Sequence, residues 1–368
     1  MGRDKRGRVK RHGNLFGRIC SFDNLVAAAY RARRGKRWRP DVAHFHYDLE
    51  PNLLALQAEL RAKTYVPGPY RAFRIRDPKP RLISAAPFRD RVVHHALCQV
   101  VEPVFDRTFV ADSFANRTGM GTHAALDRCT RFCRRYRYAL TCDIEQYFPS
   151  IDLDILLALV ERKVKCPDTL WLLGLILARS NPQDEVIRYF PGDDLFTPYG
   201  RRRGLPIGNL TSQFLANVYL NGFDHFVKER LRRPAYVRFV DDFLLFGDER
   251  RQLLGLFRPI RDYLARLRLC LHQRKCQVMP TRTGVPFLGW HVFPGHRRVR
   301  RKTGVRFQRR LREVRAEYAA GALPPDRVRA SVMSWIGHLR HGDTWGLRRK
   351  LLMSVPFSRP EGVAKEPV

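Results

Sequence analysis

The sequence predicts an α+β fold: a small sheet backed by helices on one side, followed by a basic helical unit. Three observations lead there. Short apolar strands alternate with amphipathic segments in the order β-α-insertion-α-β-β across residues 138–246, which suits a split βαβ arrangement. Hydrophobic residues make up 44% and aromatics 11% of the 368 residues, enough apolar surface for two or three compact units. After Gly295 the pattern turns helical and strongly cationic.

The elements follow in chain order. Residues 1–18 hold seven basic residues and one acid, and read as a mobile or RNA-touching arm. Residues 50–63 form a helix, with Leu53, Leu56 and Leu60 on one face after Pro51 in the first turn. Residues 64–92 mix Pro, Gly and Arg and predict a basic hairpin. Tyr138–Ile144 is an apolar strand ending on Asp143. Asp152 then caps a helix bearing Leu153, Leu156, Leu159 and Val160. Residues 180–203 are polar and rich in Gly and Pro, an insertion or loop with no mechanism assigned to it. Ser212–Glu229 reads as a helix. Tyr236–Phe239 and Phe243–Phe246 flank Val240-Asp241-Asp242 as a hairpin, and Leu253–Leu267 adds a further helix.

Residues 297–315 hold ten Lys or Arg and one acid, with Phe307, Leu311, Val314 and Tyr318 along one helical face. Val328, Val332, Trp335 and Leu339 mark a second amphipathic helix. Each apolar stripe must be covered, so the two helices are expected to pack together. Trp335 and His338 belong to that packing rather than to chemistry.

Charge narrows the function. Lys and Arg number 69 against 35 Asp and Glu, a formal charge of +34. An excess that large on a folded chain points to a polyanionic partner. Phosphate backbones, whose neutralisation releases condensed counterions, stand ahead of an anionic membrane surface or an inert charged surface. The longest strongly apolar run, Thr169–Ala178, falls well short of the roughly 20 residues needed to span a bilayer, so no membrane role is expected. The basic N-terminus has no apolar stretch behind it, which argues against a secretory signal. Eight cysteines without a CxxC pair read as reduced thiols of a cytoplasmic protein, and Cys129, Cys133 and Cys142 lack zinc-finger spacing.

The informative residues are Asp143, at the end of one apolar strand, and Asp241-Asp242, at the tip of an apolar hairpin. Alone, an Asp-Asp pair is ordinary turn chemistry. Here hydrophobic strands would press the carboxylates together at one sheet edge, where unpaired negative charge is costly without cations. Clustered acids in a chain this basic suit Mg²⁺, which takes a few carboxylates and substrate phosphate oxygens. Two such ions activate a 3′-hydroxyl and stabilise a leaving pyrophosphate in an in-line displacement.

These residues sit in three ordered segments that resemble reverse transcriptases. FVDD within YVRFVDDFLLF resembles the catalytic box, LTCDIEQYFPSID the box with the first aspartate, and GLPIGNLTSQFLANVYLN the box between them. The resemblance runs from about Leu54 to the helices near residue 345. The middle box reads Ile207-Gly208-Asn209-Leu210-Thr211-Ser212-Gln213, of the form [ILV]GxxxSQ where most reverse transcriptases carry QGxxxSP. That form, with LLALQAEL, PKPRLISA and VVHHALC, resembles the enzymes of diversity-generating retroelements, in the bacterial and phage group II intron-like lineage. The resemblance implies a right-hand polymerase with fingers, a palm built on the split βαβ sheet and a helical thumb. Residues 1–70 would be a basic arm and helix, 71–137 the fingers, 138–295 the palm with a finger insertion at about 155–205, and 296–368 the thumb and C-terminal tail. It further implies template RNA, cDNA and dNTPs as partners, two Mg²⁺ ions, error-prone copying at adenines (mutagenic retrohoming), and a small basic accessory variability protein.

Roles carry over residue by residue. Asp143, Asp241 and Asp242 would hold the metals, with the Ile144 carbonyl adding a contact. Phe148, five residues after Asp143, would gate against a ribose 2′-hydroxyl, or else be a core phenylalanine. Lys79 and Arg81 resemble fingertip cations that clamp a triphosphate. Arg89, Arg91 and Arg117 would track the template backbone, or be solvated surface. Ile207, Gly208, Ser212 and Gln213 would line the nucleotide and template-base pocket, with Gly208 allowing close approach. Isoleucine in place of glutamine removes an amide from that pocket and leaves selection to shape. Lys275 lies where polymerases keep a general acid for pyrophosphate, or is a surface lysine. Leu288 and Gly289, within Phe287-Leu288-Gly289-Trp290, resemble the primer-gripping turn. No ribonuclease H, endonuclease or maturase segment is recognised after residue 345, which weakens a mobile-intron reading. A bacterial reverse transcriptase of phage defence and a non-catalytic RNA-binding relic are the alternatives; the relic is disfavoured because all three acids and Phe148 are present together.

Overall fold

The computed structural model describes residues 10–76, 80–180, 186–353 and 357. In chain order the helices and strands are α1 (Phe16–Ile19), α2 (Phe22–Arg33), α3 (Pro40–Tyr47), α4 (Leu49–Ala62), β1 (Arg71–Ile75), β2 (Arg81–Ala85), α5 (Phe88–Asp106), α6 (Thr122–Arg135) and β3 (Tyr138–Asp143). There follow α7 (Tyr147–Ser150), α8 (Leu153–Glu161), α9 (Pro167–Ala178), α10 (Thr197–Gly200), α11 (Leu210–His225), β4 (Tyr236–Phe239), β5 (Asp242–Gly247), α12 (Arg250–Gly255) and α13 (Phe257–Arg266). The chain closes with β6 (Gln277–Pro280), β7 (Val285–Phe287), β8 (Trp290–Val292), β9 (Arg297–Val299), α14 (Arg301–Ala319), α15 (Pro325–Leu339) and α16 (Trp345–Met353). Helices and strands are both present in quantity, as the α+β expectation requires.

The residues cluster into two units. The first comprises Met1–Gly119, Cys142–Phe243 and Gly255–Cys276, the second Met120–Thr141, Leu244–Leu254 and Gln277–Val368. These limits fall elsewhere than 70, 137 and 295. In particular, α6 groups with the C-terminal elements.

In the first unit, α5 is the central rod. Val92, Val93, Ala96, Leu97, Val100, Val101 and Phe105 are buried along it, each large side chain contributing about 1.5–3 kcal/mol by leaving water. Helices α2 and α11 pack on α5. Of the expected arm, residues 10–18 are structured: His12 exchanges main-chain hydrogen bonds with Lys163 and Lys165 (2.7 and 2.8 Å) and α1 begins at Phe16, while residues 1–9 lie outside the described residues. The basic hairpin is β1 paired antiparallel with β2, from Arg71↔Ala85 to Ile75↔Arg81. Asp152 caps α8 as its sequence predicts, Oδ1 accepting from the amides of Asp154 and Ile155, both at 3.0 Å. The single helix expected over Leu253–Leu267 is two, α12 and α13. Proline 259 has no amide to give to Gly255 and its ring crowds that carbonyl, which parts the helix there.

The four-stranded sheet has the order β4-β5-β3-β6. In the second unit, β3 and β6 pair antiparallel from Tyr138↔Pro280 to Thr141↔Gln277. A three-stranded sheet, β7-β8-β9, was not anticipated. Trp290↔Val299 and Val292↔Arg297 pairing draws residues 297–299 into a strand, so the cationic helix begins at 301. Helices α14 and α15 then pack through Leu311, Val314, Val328, Trp335 and Leu339, all buried, with the Phe307 and Trp335 rings stacked at 3.4 Å.

Candidate active site

The site is built where strands end. Asp143 is the last residue of β3, and Asp241 and Asp242 occupy the turn into β5. The Ile144 amide donates to the Asp241 carbonyl at 3.2 Å, and the His272 amide to the Asp143 carbonyl at 2.8 Å, so three chain segments are stitched together by main chain. The three carboxyl groups lie close enough to interact. Burial, then the charges of Asp241 and Asp143, push Asp242 up to about 8. Asp241 is raised as well, by burial first and by Asp143, against the pull of Arg81 and Lys275. Lys275 Nζ donates to Asp143 Oδ1 at 2.6 Å.

The turn itself is strained. Val240, a β-branched residue, sits at φ +57°, a left-handed conformation costing about 1–3 kcal/mol. Beneath it lies a residue that sequence reasoning missed. Arg238 is fully buried, and its Nη1 donates to the Val240 carbonyl at 3.1 Å and to Asn217 Oδ1 at 3.2 Å. Its Nε and Nη2 make a bidentate pair with Asp224, 2.7 Å each, and Tyr236 Oη donates to Asp224 Oδ1 at 2.7 Å. The signal was available: in YVRFV, Tyr236 and Arg238 share a strand face, and an arginine within an apolar strand must find a carboxylate.

The middle segment is held to β2. The Ser84 amide donates to the Ile207 carbonyl at 2.9 Å, and Asn209 Nδ2 to the Ser84 carbonyl at 3.0 Å. Gly208 has φ +118°, and a Cβ there would lie 3.1 Å from Ile83 Cγ2 and 3.4 Å from the Ser84 oxygen, so a side chain would be strained and would press on β2. Ser212 is buried and Gln213 half-buried in the first turn of α11. Phe148 lies half-buried in α7, its carbonyl accepting from the Leu205 amide at 2.9 Å, while Tyr147 Oη is anchored to the Ala216 carbonyl at 2.6 Å. Arg81 begins β2, exposed and within electrostatic reach of Asp241. Lys79 lies outside the described residues.

The expected template-tracking arginines divide. Arg117 is a correction: its side chain is nearly buried, with Nε on Asp106 Oδ1 at 2.7 Å and Nη1 on the carbonyls of Val110 and Ser113 at 2.8 and 2.9 Å, so it braces a loop. Arg89 pairs with Glu59 and lies over the Tyr65 ring. Arg91 Nε donates to the Ala86 carbonyl at 2.8 Å, while its Nη1 has no hydrogen-bond partner. Leu288 and Gly289, both at positive φ (47° and 85°), form the two-residue turn between β7 and β8 in the second unit.

Among the described residues, no group of three or more His, Cys, Asp or Glu is preset around a common metal position. The donor chemistry nevertheless fits a hard divalent cation. Burial and neighbouring carboxylates raise the proton affinity of Asp241 and Asp242, Lys275 stands against Asp143, and a bound divalent cation would favour the ionised forms.

Carboxylates gathered at strand ends, beside a basic hairpin in a chain of +34, define an enzyme that handles nucleic acid. Residues 75–292, more than half of the chain, match the reverse transcriptase (RNA-dependent DNA polymerase) family model. The chain belongs to the reverse transcriptase family, the RNA-directed DNA polymerases. It is similar to protein YkfC of Escherichia coli, 24% identical over 297 residues, covering 69% of this chain and 73% of that protein. Similar too is the group II intron-encoded protein LtrA of Lactococcus lactis, 24% identical over 238 residues, 63% of this chain but 38% of LtrA. Nuclear intron maturase 1 of Arabidopsis thaliana matches at 27% over 86 residues, 23% of this chain and 12% of the relative. The chain thus spans well under half the length of the intron-encoded relatives. No described helix is long and apolar enough to cross a membrane.

Proposed function

We propose that the chain copies a template RNA into cDNA by two-metal nucleotidyl transfer, with errors concentrated at template adenines, as part of a diversity-generating system. The observation that supports the catalytic half is the main-chain bond from Ile144 to Asp241, which brings the end of β3, and with it Asp143, against the turn that carries Asp241 and Asp242. Asp143, Asp241, Asp242 and the Ile144 carbonyl would hold two Mg²⁺ ions, which supply activation of the primer 3′-hydroxyl and neutralisation of the departing pyrophosphate. Lys275 can give its proton to that leaving group, Arg81 meets the triphosphate, and Phe148 excludes a 2′-hydroxyl. In this reading residues 71–137 act as fingers, 138–295 as palm and 296–368 as thumb, and a small basic accessory protein assists.

Ile207 supports the mutagenic half. The Ser84 amide holds the Ile207 carbonyl, and in this reading the Ile207 alkyl side chain stands where an amide would otherwise question the base. The test is to sequence cDNA made on a defined RNA by the purified chain with and without its accessory partner. Misincorporation enriched at adenines, and reduced in Ile207→Gln, is expected. Errors spread evenly over the four bases, or an Ile207→Gln spectrum identical to the unmodified chain's, would overturn the diversity-generating reading. The names of the intron-encoded relatives favour a second reading, an intron-type reverse transcriptase with the same chemistry and accurate copying. An accurate spectrum would select it.

A further inference from the structure

A surface outside the matched family region has the chemistry of a second nucleic-acid site. The turn joining α2 to α3 reads Arg-Arg-Gly-Lys-Arg-Trp-Arg-Pro over residues 33–40, and residues 31–39 contain six Lys or Arg and no acid. At its apex Trp38 is 72% exposed, with the Arg37 guanidinium 4.2 Å above its ring. The indole stands largely in solvent, and a large aromatic left in water invites a flat partner. Lys36, Arg37 and Arg39 flank the indole in sequence. Burial, then the charges of Arg91 and Arg39, lower the proton affinity of Lys36, with Asp41 the opposing acid.

We infer that this turn binds single-stranded RNA, an unpaired base stacking on the Trp38–Arg37 pair while Lys36 and Arg39 take the adjacent phosphates. The two halves of the surface match the two halves of a nucleotide. A ring with a guanidinium on one face stacks with any base, and such stacking is sequence-tolerant. Clustered cations gain from phosphate what they lose to mutual repulsion. A duplex hides its base faces, so the surface prefers unpaired strand. A protein partner would want this patch apolar or acidic in complement, and six cations around one indole argue for the polyanion.

The experiment measures binding of the full chain to a labelled, unstructured RNA of about a dozen nucleotides and to a blunt RNA duplex of the same length, without dNTPs or Mg²⁺. It therefore reads out apart from polymerisation. Trp38→Ala is expected to weaken binding to the single strand about tenfold and to the duplex less than twofold, and Trp38→Phe to retain most of the single-strand affinity. Lys36→Ala/Arg39→Ala should flatten the salt dependence on both RNAs, by about 1.4 in log-log slope for the single strand. Because Trp38 lies in solvent, its removal should leave the thermal melt unchanged. Single-strand affinity unaltered in Trp38→Ala would overturn the inference. So would an equal loss on strand and duplex, which would mark the surface as cationic without base recognition.

Discussion

Arg238 Nη1 stands 3.1 Å from the carbonyl oxygen of Val240, and through that bond a buried arginine grips the turn that presents Asp241 and Asp242. The guanidinium is oriented by Asp224 on the opposite side, so α11 dictates where the catalytic turn sits. Breaking such a pair from one end strands an uncompensated charge in the core. Arg238→Met is expected to cost about 3–5 kcal/mol in urea unfolding. Arg238→Lys, able to keep the charge but not the fork, should fold and lose kcat with little change in KM for dNTP. A lysine variant with unaltered kcat would remove Arg238 from the positioning of the turn.

Lys275 Nζ donates to Asp143 of the carboxylate cluster. Lys275→Ala is expected to lower kcat about 10²-fold or more, the span of general acid catalysis, with Lys275→Arg recovering part of it. Steady-state primer extension across pH checks this. An alanine variant with unaltered kcat would take Lys275 out of the chemistry.

Metal affinity should depend on pH in a definite direction. The folded-state value of Asp242, about 8, lies above that of an unfolded aspartate. Its protonated form is therefore the one the metal-free fold favours, and stability falls as pH rises toward 8 and the group is forced to ionise. Mg²⁺ needs the ionised form. The rise in melting temperature caused by Mg²⁺ should accordingly grow from pH 6 to pH 8.5, and Asp242→Asn should both stabilise the metal-free protein at pH 8 and blunt that growth. Thermal melts with and without Mg²⁺ decide it; a pH-independent increment would contradict the coupling.

Phe148 is half-buried beside the Leu205–Gly208 segment, held by main chain rather than by core packing alone. Phe148→Ala should raise incorporation of ribonucleotides relative to deoxyribonucleotides by roughly 10- to 100-fold, because only sterics excludes the extra oxygen. Competition between labelled ATP and dATP measures the ratio. An unchanged ratio would make Phe148 a packing residue.

What the sequence made legible was whatever local patterning controls. The apolar run ending on Asp143, the hairpin around Asp241-Asp242 and the Asp152 cap all appear where periodicity and turn chemistry put them. Long-range partners were not legible. No spacing rule pairs Arg238 with Asp224, Ser84 with Asn209, or Arg117 with the carbonyls of Val110 and Ser113, since each contact exists only once helices and strands have docked. Arg117 and Arg91 look alike in a basic sequence, yet one is consumed by a loop and the other is tied to the Ala86 carbonyl with its Nη1 buried. The β7-β8-β9 sheet was hidden for a related reason. Its strands are three residues each, too short for alternation to register, and Arg297–Val299 carries more charge than apolar surface. Trp38 was legible as a residue but not as a site, because exposure is a property of the folded chain.

The most direct measurement is extension of a DNA primer on an RNA template by the purified chain with Mg²⁺, beside Asp241→Ala/Asp242→Ala. The account predicts full-length cDNA from the former, none from the latter, and no product from either when the metal is chelated. Product made equally by the double variant would contradict it, since the chemistry would then lie away from the carboxylates at the ends of β3 and the β4–β5 turn.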